Sequence, residues 1–426
     1  MSKQTIKKLV PELRFPEFRD AGEWEVKPLG KVAALITEKA GRKIYTLMSI
    51  TAGLGLVTQI EKFGREIAGE AYKNYYVIKK GDFAYNKSST KQHPEGQLAL
   101  LENTDQGAVP NSIFTCFRLD EKYVSPYFLK YPFANNIHGK WLRNFIMVGA
   151  RANGALNVDS KDLLALPIAI PILAEQQKIA DCLSSLDELI TAQTQKLDGL
   201  KTHKKGLMQQ LFPAEGETLP KLRFPEFCDV GEWIESTLGE IATFAKGKGV
   251  SKAEISPTGS QPCIRYGQLY TQYKETINSV ISYTDVSPSD LVLSQANDVI
   301  IPASGETQID IATASCVLNS GIALGSDLNI IRSKMNGVFL SYYLNNAKKN
   351  AIAELAQGIS VVHLYSSQLK TLKINIPDIS EQQKIADCLS SIDLLIATLA
   401  QKIDALKTHK KGLMQQLFPS ADEVAG

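Results

Sequence analysis

Lys201-Thr-His-Lys-Lys-Gly-Leu-Met-Gln-Gln-Leu-Phe-Pro213 returns without a change as Lys407 to Pro419. A match of that length does not arise by chance, and it has company. Glu175-Gln-Gln-Lys-Ile-Ala-Asp-Cys-Leu-Ser-Ser185 returns as Glu381 to Ser391 at the same offset of 206. Leu13-Arg-Phe-Pro-Glu-Phe18 returns as Leu222 to Phe227 at an offset of 209, which also carries Gly22-Glu-Trp24 onto Gly231-Glu-Trp233 and Leu29-Gly30 onto Leu238-Gly239. Self-similarity at a fixed period marks a duplicated unit. The chain is a tandem duplication with a period near 207 residues.

The repeated edges read as long helices. From Glu175 to Phe212 there is no proline, and Ala, Leu, Gln, Lys and Asp predominate. Apolar residues fall at Ile179, Leu183, Leu186, Ile190, Leu197, Leu200, Leu207 and Leu211, and Gln193 and Lys204 fill the gaps in a 4-3 alternation. The second copy keeps the register with Ile385, Leu389, Ile392, Ile396, Leu399, Ile403, Leu406, Lys410, Leu413 and Leu417. Sustained 3-4 spacing predicts a coiled-coil seam rather than a broad globular face. Each helix would run ~55 Å at 1.5 Å per residue, and Pro213 and Pro419 would end them. Each could pack on its own domain instead, but two long seams in one chain are natural partners. Related by a pseudo-two-fold axis, they would pair antiparallel.

Between the edges only a skeleton is shared. Gly81-Asp-Phe-Ala-Tyr-Asn-Lys-Ser-Ser89 lies on Asn297-Asp-Val-Ile-Ile-Pro-Ala-Ser-Gly305, and Ser112 to Arg118 lies on Ser326 to Arg332. Pro126 to Tyr131 is matched with Val338 to Tyr343, each at the start of an expected helix. Gly154 and Gly358 open stretches that end in the strand-like Leu166-Pro-Ile-Ala-Ile-Pro171 and Leu372-Lys-Ile-Asn-Ile-Pro377. Short β-rich runs such as Ile113 to Phe117 and Asp298 to Ile301 dominate. Each middle is expected to be a mixed α/β (α+β) domain of ~150 residues. Like edges with unlike middles suggest one fold carrying two different surfaces.

With 426 residues, 44% of them apolar, the chain is too long for one core and too hydrophobic to be disordered. No apolar run approaches the ~20 residues of a membrane span, and Met1 to Lys8 has no apolar stretch after its charges, so neither a secretory signal nor a membrane partner is expected. Cys116, Cys182, Cys228, Cys263, Cys316 and Cys388 are too scattered for a zinc module or a disulfide framework, which points to reduced thiols in the cytoplasm.

The Glu-Gln-Gln-Lys-Ile-Ala openings at Glu175 and Glu381, the Lys-Gly-Leu-Met-Gln-Gln-Leu-Phe-Pro ends and the paired Leu-Arg-Phe-Pro-Glu-Phe and Glu-Trp segments resemble the specificity subunits of type I restriction-modification systems. The resemblance covers nearly the whole chain. It implies two target-recognition domains alternating with two helices that form an antiparallel coiled coil. The expected division is an arm (1–20), a first target-recognition domain (21–173), a central helical repeat (174–213), a linker (214–229), a second target-recognition domain (230–379), a C-terminal helical repeat (380–419) and a tail (420–426). It further implies a non-catalytic reader of double-stranded DNA, each domain taking one half of a bipartite target and the helices acting as a ruler between the halves. Two modification subunits would dock on the helices and methylate adenine at N6 with S-adenosylmethionine that they bind themselves. Restriction/translocase subunits would bring ATP and Mg, so no cofactor or metal is expected in this chain.

The residues fit that assignment. There is no Asn/Asp-Pro-Pro-Tyr/Phe tetrapeptide of an amino-methyltransferase and no P-loop. Asp20 with Glu25-Val-Lys27 has the loose outline of a nuclease site, but the second copy, Asp229 with Glu235-Ser-Thr237, lacks the lysine. His93, His138, His203, His363 and His409 have no metal-ligand spacing. Residues 21–170 carry 19 Lys+Arg against 14 Asp+Glu, whereas residues 230–376 carry 11 against 12. The second domain must therefore gather its cations on one face or rely on amides and hydroxyls. A protein-binding adaptor is the competing reading that this neutrality favours.

Candidate DNA contacts in the first domain are the polar loop Asn86, Lys87, Ser88, Ser89, Thr90 and Lys91, with Arg143, Arg151 and Asn153 offering Arg for guanine and Asn for adenine edges. In the second they are Lys246, Lys248, Arg265, Tyr266, Ser304, Glu306, Thr307, Gln308 and Gln357.

Overall fold

The computed structural model describes residues 9–51, 54–68, 70–146, 154–358, 361–420 and 424. The chain divides into two compact units, residues 1–192 with 402–426 and residues 193–401. The two long helices span Leu173–Leu211 and Ile379–Leu417, 39 residues each. Each unit holds the first half of one helix and the second half of the other. In the first unit Ile179 and Leu183 share a core with Leu413 and Leu417. In the second, Leu207 and Leu211 share one with Ile385 and Leu389. First half against second half is what an antiparallel pair requires.

The seam positions explain the pairing. Ile179, Leu183 and Leu211 are buried, and Leu186, Ile190, Leu197, Leu200 and Leu207 are half-buried. On the second helix Ile385, Leu389, Ile392, Ile396, Leu399, Ile403 and Leu417 are buried, with Leu406 and Leu413 half-buried. None of these side chains is exposed.

The two α/β segments share a sheet plan. In the first unit the strand order is Ala33–Leu35, Phe114–Leu119, Phe83–Asn86, Gln97–Leu100, antiparallel throughout. In the second it is Ala242–Lys246, Leu328–Ser333, Asp298–Pro302, Ser315–Val317, with Thr276–Ile277 added parallel at the end. A second pairing closes each segment at its foot: Glu25–Pro28 with Pro167–Ile170, and Ile234–Thr237 with Lys373–Ile376. It brings the two ends of each segment together at the start of a long helix.

Buried charge is handled identically in both copies. Asp82 takes two nitrogens of Arg118 at 2.6 and 2.7 Å and accepts the Lys79 amide. Asp298 takes two nitrogens of Arg332 at 2.9 and 3.1 Å and accepts the Gln295 amide. The residue before each aspartate has a positive φ, Gly81 at +92° and Asn297 at +79°; glycine and asparagine are the residues that adopt it most readily.

One sequence match is corrected. The Ser125 amide donates to Gln176 Oε1 at 2.9 Å, and the Asn336 amide donates to the repeated Gln382 Oε1 at 2.9 Å. Ser125 therefore corresponds to Asn336, and the helix Pro126–Ala134 to Gly337–Asn346. Tyr131 matches Tyr342 rather than Tyr343. The second copy has adjacent tyrosines: Tyr342 faces the long helices, while Tyr343 packs on Phe212 and Phe339 and accepts the Asn375 amide. Pro132 stands at that second place in the first copy.

Candidate nucleic-acid interface

In the first unit the predicted loop leaves the end of the strand Phe83–Asn86 and is tied down by the returning chain. The Leu156 amide donates to the Lys87 carbonyl at 2.8 Å, the Ser89 amide to the Gly154 carbonyl at 2.7 Å, and Ser88 bridges to Ala155. Thr90 Oγ1 accepts the His93 amide. Ser89, Thr90 and Lys91 are exposed, while Asn86, Lys87 and Ser88 are half-buried.

Arg143 is committed to a carboxylate. Its Nε and Nη2 donate to Glu95 Oε1 at 2.9 and 2.5 Å, although 69% of its side chain remains exposed. Burial acts to raise the Glu95 pKa, but the hydrogen bonds from Arg143 and Asn136 outweigh it and hold the group below the usual carboxylate range. Glu95 also accepts the Tyr85 hydroxyl at its carbonyl, 2.6 Å away, and His138 contacts the Gly96 carbonyl at 3.3 Å. Arg143 thus fastens the turn beneath the loop as well as reaching the surface. Arg151 and Asn153 lie outside the described residues.

In the second unit Ser304-Gly305 pairs with Val362-His363. The Leu364 amide donates to the Ala303 carbonyl at 3.0 Å, the counterpart of Leu156 on Lys87. Lys87-Ser88 and Ala303-Ser304 therefore hold the same place in the fold. Gln357 exchanges two backbone hydrogen bonds with His363, at 2.8 and 2.7 Å. Thr307 caps the short helix Gln308–Ile311, and Gln308 Nε2 reaches the Ala356 carbonyl at 3.4 Å. Ser304, Glu306, Thr307, Gln308 and Gln357 are thereby gathered on one edge.

Arg265 and Tyr266 approach this edge from the helix Tyr266–Thr271. Burial raises the pKa of Tyr270 on that helix; Tyr266, Glu306 and Asp310 add to the effect and Arg265 opposes it, which places these groups in one neighbourhood. Lys248 is exposed, and Lys246, also exposed, pairs with Asp327 at 3.8 Å. A pair so open to solvent contributes little and leaves Lys246 available.

Sequence reasoning missed two residues here. His363 is exposed and stacks on Tyr365, with ring centroids 6.1 Å apart, and Tyr365 is itself 55% exposed. Both lie in a stretch read only as an approach to the last strand. Their one signal was the placing of two polar aromatics around Leu364.

Among the described residues, no cluster of three His, Cys, Asp or Glu side chains could hold a metal ion, and no helix is long and apolar enough to cross a membrane. Cys116, Cys263 and Cys316 are buried free thiols, and the other three cysteines are free as well.

Known proteins share this arrangement. The profile of the type I restriction modification DNA specificity domain matches residues 21–202 and again residues 231–408. A Methanocaldococcus jannaschii protein named as the MjaX type I specificity subunit is 24% identical over 409 residues, 93% of each chain. The EcoR124I/EcoR124II specificity subunit of Escherichia coli is 27% identical over 175 residues, 40% of this chain and 43% of its own. The crystal structure of a type I S subunit from M. genitalium superimposes with a TM-score of 0.55 at 15% identity, covering 97% of this chain and all of the other. The chain belongs to the type I restriction-modification DNA specificity family and carries that family's domain twice.

Proposed function

We propose that the segments 21–173 and 230–379 each read one half of a bipartite double-stranded DNA target, and that the paired helices set the spacer. The observation that carries this reading is the equivalence of Lys87-Ser88 and Ala303-Ser304. The same backbone ties present Lys-Ser-Ser-Thr in one copy and Ser-Gly-Glu-Thr-Gln in the other. One scaffold with two hydrogen-bonding chemistries suits an asymmetric two-part sequence. The candidate contacts are Asn86 to Lys91 with Arg143, Arg151 and Asn153 on one side. On the other they are Lys246, Lys248, Arg265, Tyr266, Ser304, Glu306 to Gln308 and Gln357, joined by His363 and Tyr365.

The chain is not the catalyst in this scheme. Two modification subunits dock on the helices and carry S-adenosylmethionine to the target adenines. Restriction/translocase subunits add ATP- and Mg-dependent steps, and the complex works in the cytoplasm against foreign DNA. Methylome sequencing of the host with and without this chain tests the reading. One bipartite adenine motif should vanish with the chain; an unchanged methylome would sink it.

A further inference from the structure

In each unit a tyrosine, an aspartate and a lysine meet where the domain helix crosses the long helices. The Tyr131 hydroxyl donates to Asp187 Oδ2 at 3.1 Å. Lys410 pairs with the same carboxylate and sits 5.1 Å from the Tyr131 ring centroid. In the second unit the Tyr342 hydroxyl donates to Asp393. Lys204 lies 2.8 Å from that carboxylate and 5.1 Å from the Tyr342 ring centroid, with Glu275 at 3.4 Å as a further partner. The aspartate belongs to the long helix that leaves the domain, and the lysine to the other long helix. One carboxylate thus joins three helices.

These clasps sit where stability alone would favour something else. Lys204 and Lys410 occupy seam positions, with only 13% and 20% of their side chains exposed. A charged group there forfeits hydration that a leucine would not need. A polar residue at one seam position is the usual device for choosing register over raw stability. Tyr131 and Tyr342 are buried, and burial together with the adjacent carboxylate raises both hydroxyl pKa values, so each remains a donor.

We infer that the two Tyr–Asp–Lys clasps are positioning residues that fix the axial place and rotation of each reading domain on the helix pair, and thereby the spacer length the protein accepts. The inference rests on the DNA-reading assignment above and adds to it a device for spacing. A one-turn slip of a helix moves it ~5.4 Å, whereas one base pair advances the duplex ~3.4 Å. Seam packing repeats by turns, so alone it leaves open a whole-turn slip that would move a domain by between one and two base pairs. A shared carboxylate with two directional partners closes off that slip.

The test uses the full-length chain assembled with its modification subunits, and duplexes carrying the methylated motif at its native spacer, one base pair shorter and one longer. Tyr131→Phe and Tyr342→Phe keep both rings and remove only the hydroxyl; Lys204→Arg keeps the charge. Methyl transfer to the off-length duplexes, relative to the native one, should rise about tenfold in each Tyr→Phe variant, the order expected for one lost hydrogen bond to a charged group. Base substitutions within either half-site should stay as damaging as before, and Lys204→Arg should keep the native ratio. General destabilisation lowers all three rates together and leaves the ratio alone. An unchanged ratio in both Tyr→Phe variants overturns the inference. A wild-type complex that methylates without any bipartite preference overturns the DNA-reading assignment instead.

Discussion

Arg14 and Glu175, 161 residues apart, form a two-pronged ion pair with Nε–Oε1 at 2.7 Å and Nη2–Oε2 at 2.6 Å. Trp24 Nε1 donates to the same carboxylate, and the remaining guanidinium nitrogen reaches the Gly22 carbonyl. Arg223, Glu381, Trp233 and Gly231 repeat every contact in the second copy. The repeated Leu-Arg-Phe-Pro-Glu-Phe and Glu-Gln-Gln motifs are thus two halves of one joint, which seats the arm ahead of each domain on the helix behind it.

Breaking that joint should be costly because it strands a charge. The Arg223 and Glu381 side chains are 10% and 1% exposed. Arg223→Met leaves the Glu381 charge buried without a counter-ion, with only the Trp233 indole N–H to serve it, and should lower the stability of the second unit by about 3–5 kcal/mol. The double variant Arg223→Met, Glu381→Leu should recover most of that loss. Urea unfolding of the full-length chain measures both, and equal losses in the single and double variants would contradict the account.

The helices, and the repeated segments that form the joints, were legible in the sequence because their residues recur, but the Arg14–Glu175 and Arg223–Glu381 pairings were not. Asp82 and Asp298, with Arg118 and Arg332, could be aligned because each pair solves the same burial problem. Tyr342 could not: an adjacent tyrosine offered an equally good match, and only the Gln382 contact to Asn336 settles the register. The reading edges were legible as loops but not as partnerships. That Arg143 is bound to Glu95, or that His363 lies beside Ser304, depends on hydrogen bonds between segments about 50 to 60 residues apart, for which no local pattern codes.

The two reading edges should respond differently to substitution. Lys87 belongs to the basic first segment and, on the proposed reading, meets phosphate. Lys87→Ala should weaken binding to all sequences alike and reduce the salt dependence, log K against log [salt], by about one unit. Gln308→Ala and His363→Ala should instead relax preference at a position of the second half-site, by roughly 1–3 kcal/mol for a lost base contact. Competition binding over a salt series, with single-base variants of the motif, separates the two behaviours.

His138 makes the first unit sensitive to mild acid. Burial pushes its pKa from 6.5 down to about 4, with the field of His93 adding to the effect while the Gly96 carbonyl and Glu95 oppose it. The folded state therefore favours the neutral ring. Its contribution is complete above the unfolded value of 6.5 and is lost as pH falls toward 4, a span worth about 3 kcal/mol. Tm should drop across that window, and His138→Leu should flatten this part of the profile. A wild-type Tm that is level from pH 7 to 5 would count against it.

Gly96 holds the first reading loop through a contact that tolerates no side chain. Its φ is +85°, and a Cβ would lie 2.5 Å from the Asn86 carbonyl oxygen and 2.8 Å from the Tyr85 ring. Both neighbours are fixed, Asn86 by the sheet and Tyr85 by its bond to the Glu95 carbonyl. Gly96→Ala must therefore push the turn away from the strand end, at a cost above the roughly 1 kcal/mol of a strained φ alone. Gly41→Ala is the control, since Gly41 has φ +59° but open space around its Cβ. Both variants share the backbone strain; only Gly96→Ala also displaces the base of the loop from Asn86 to Lys91. Gly96→Ala should accordingly blur recognition of the first half-site and spare the second, while Gly41→Ala lowers stability slightly and leaves both half-sites sharp. Methylome motifs from hosts carrying each variant, read beside urea midpoints, would show whether the loss follows the loop or merely the stability.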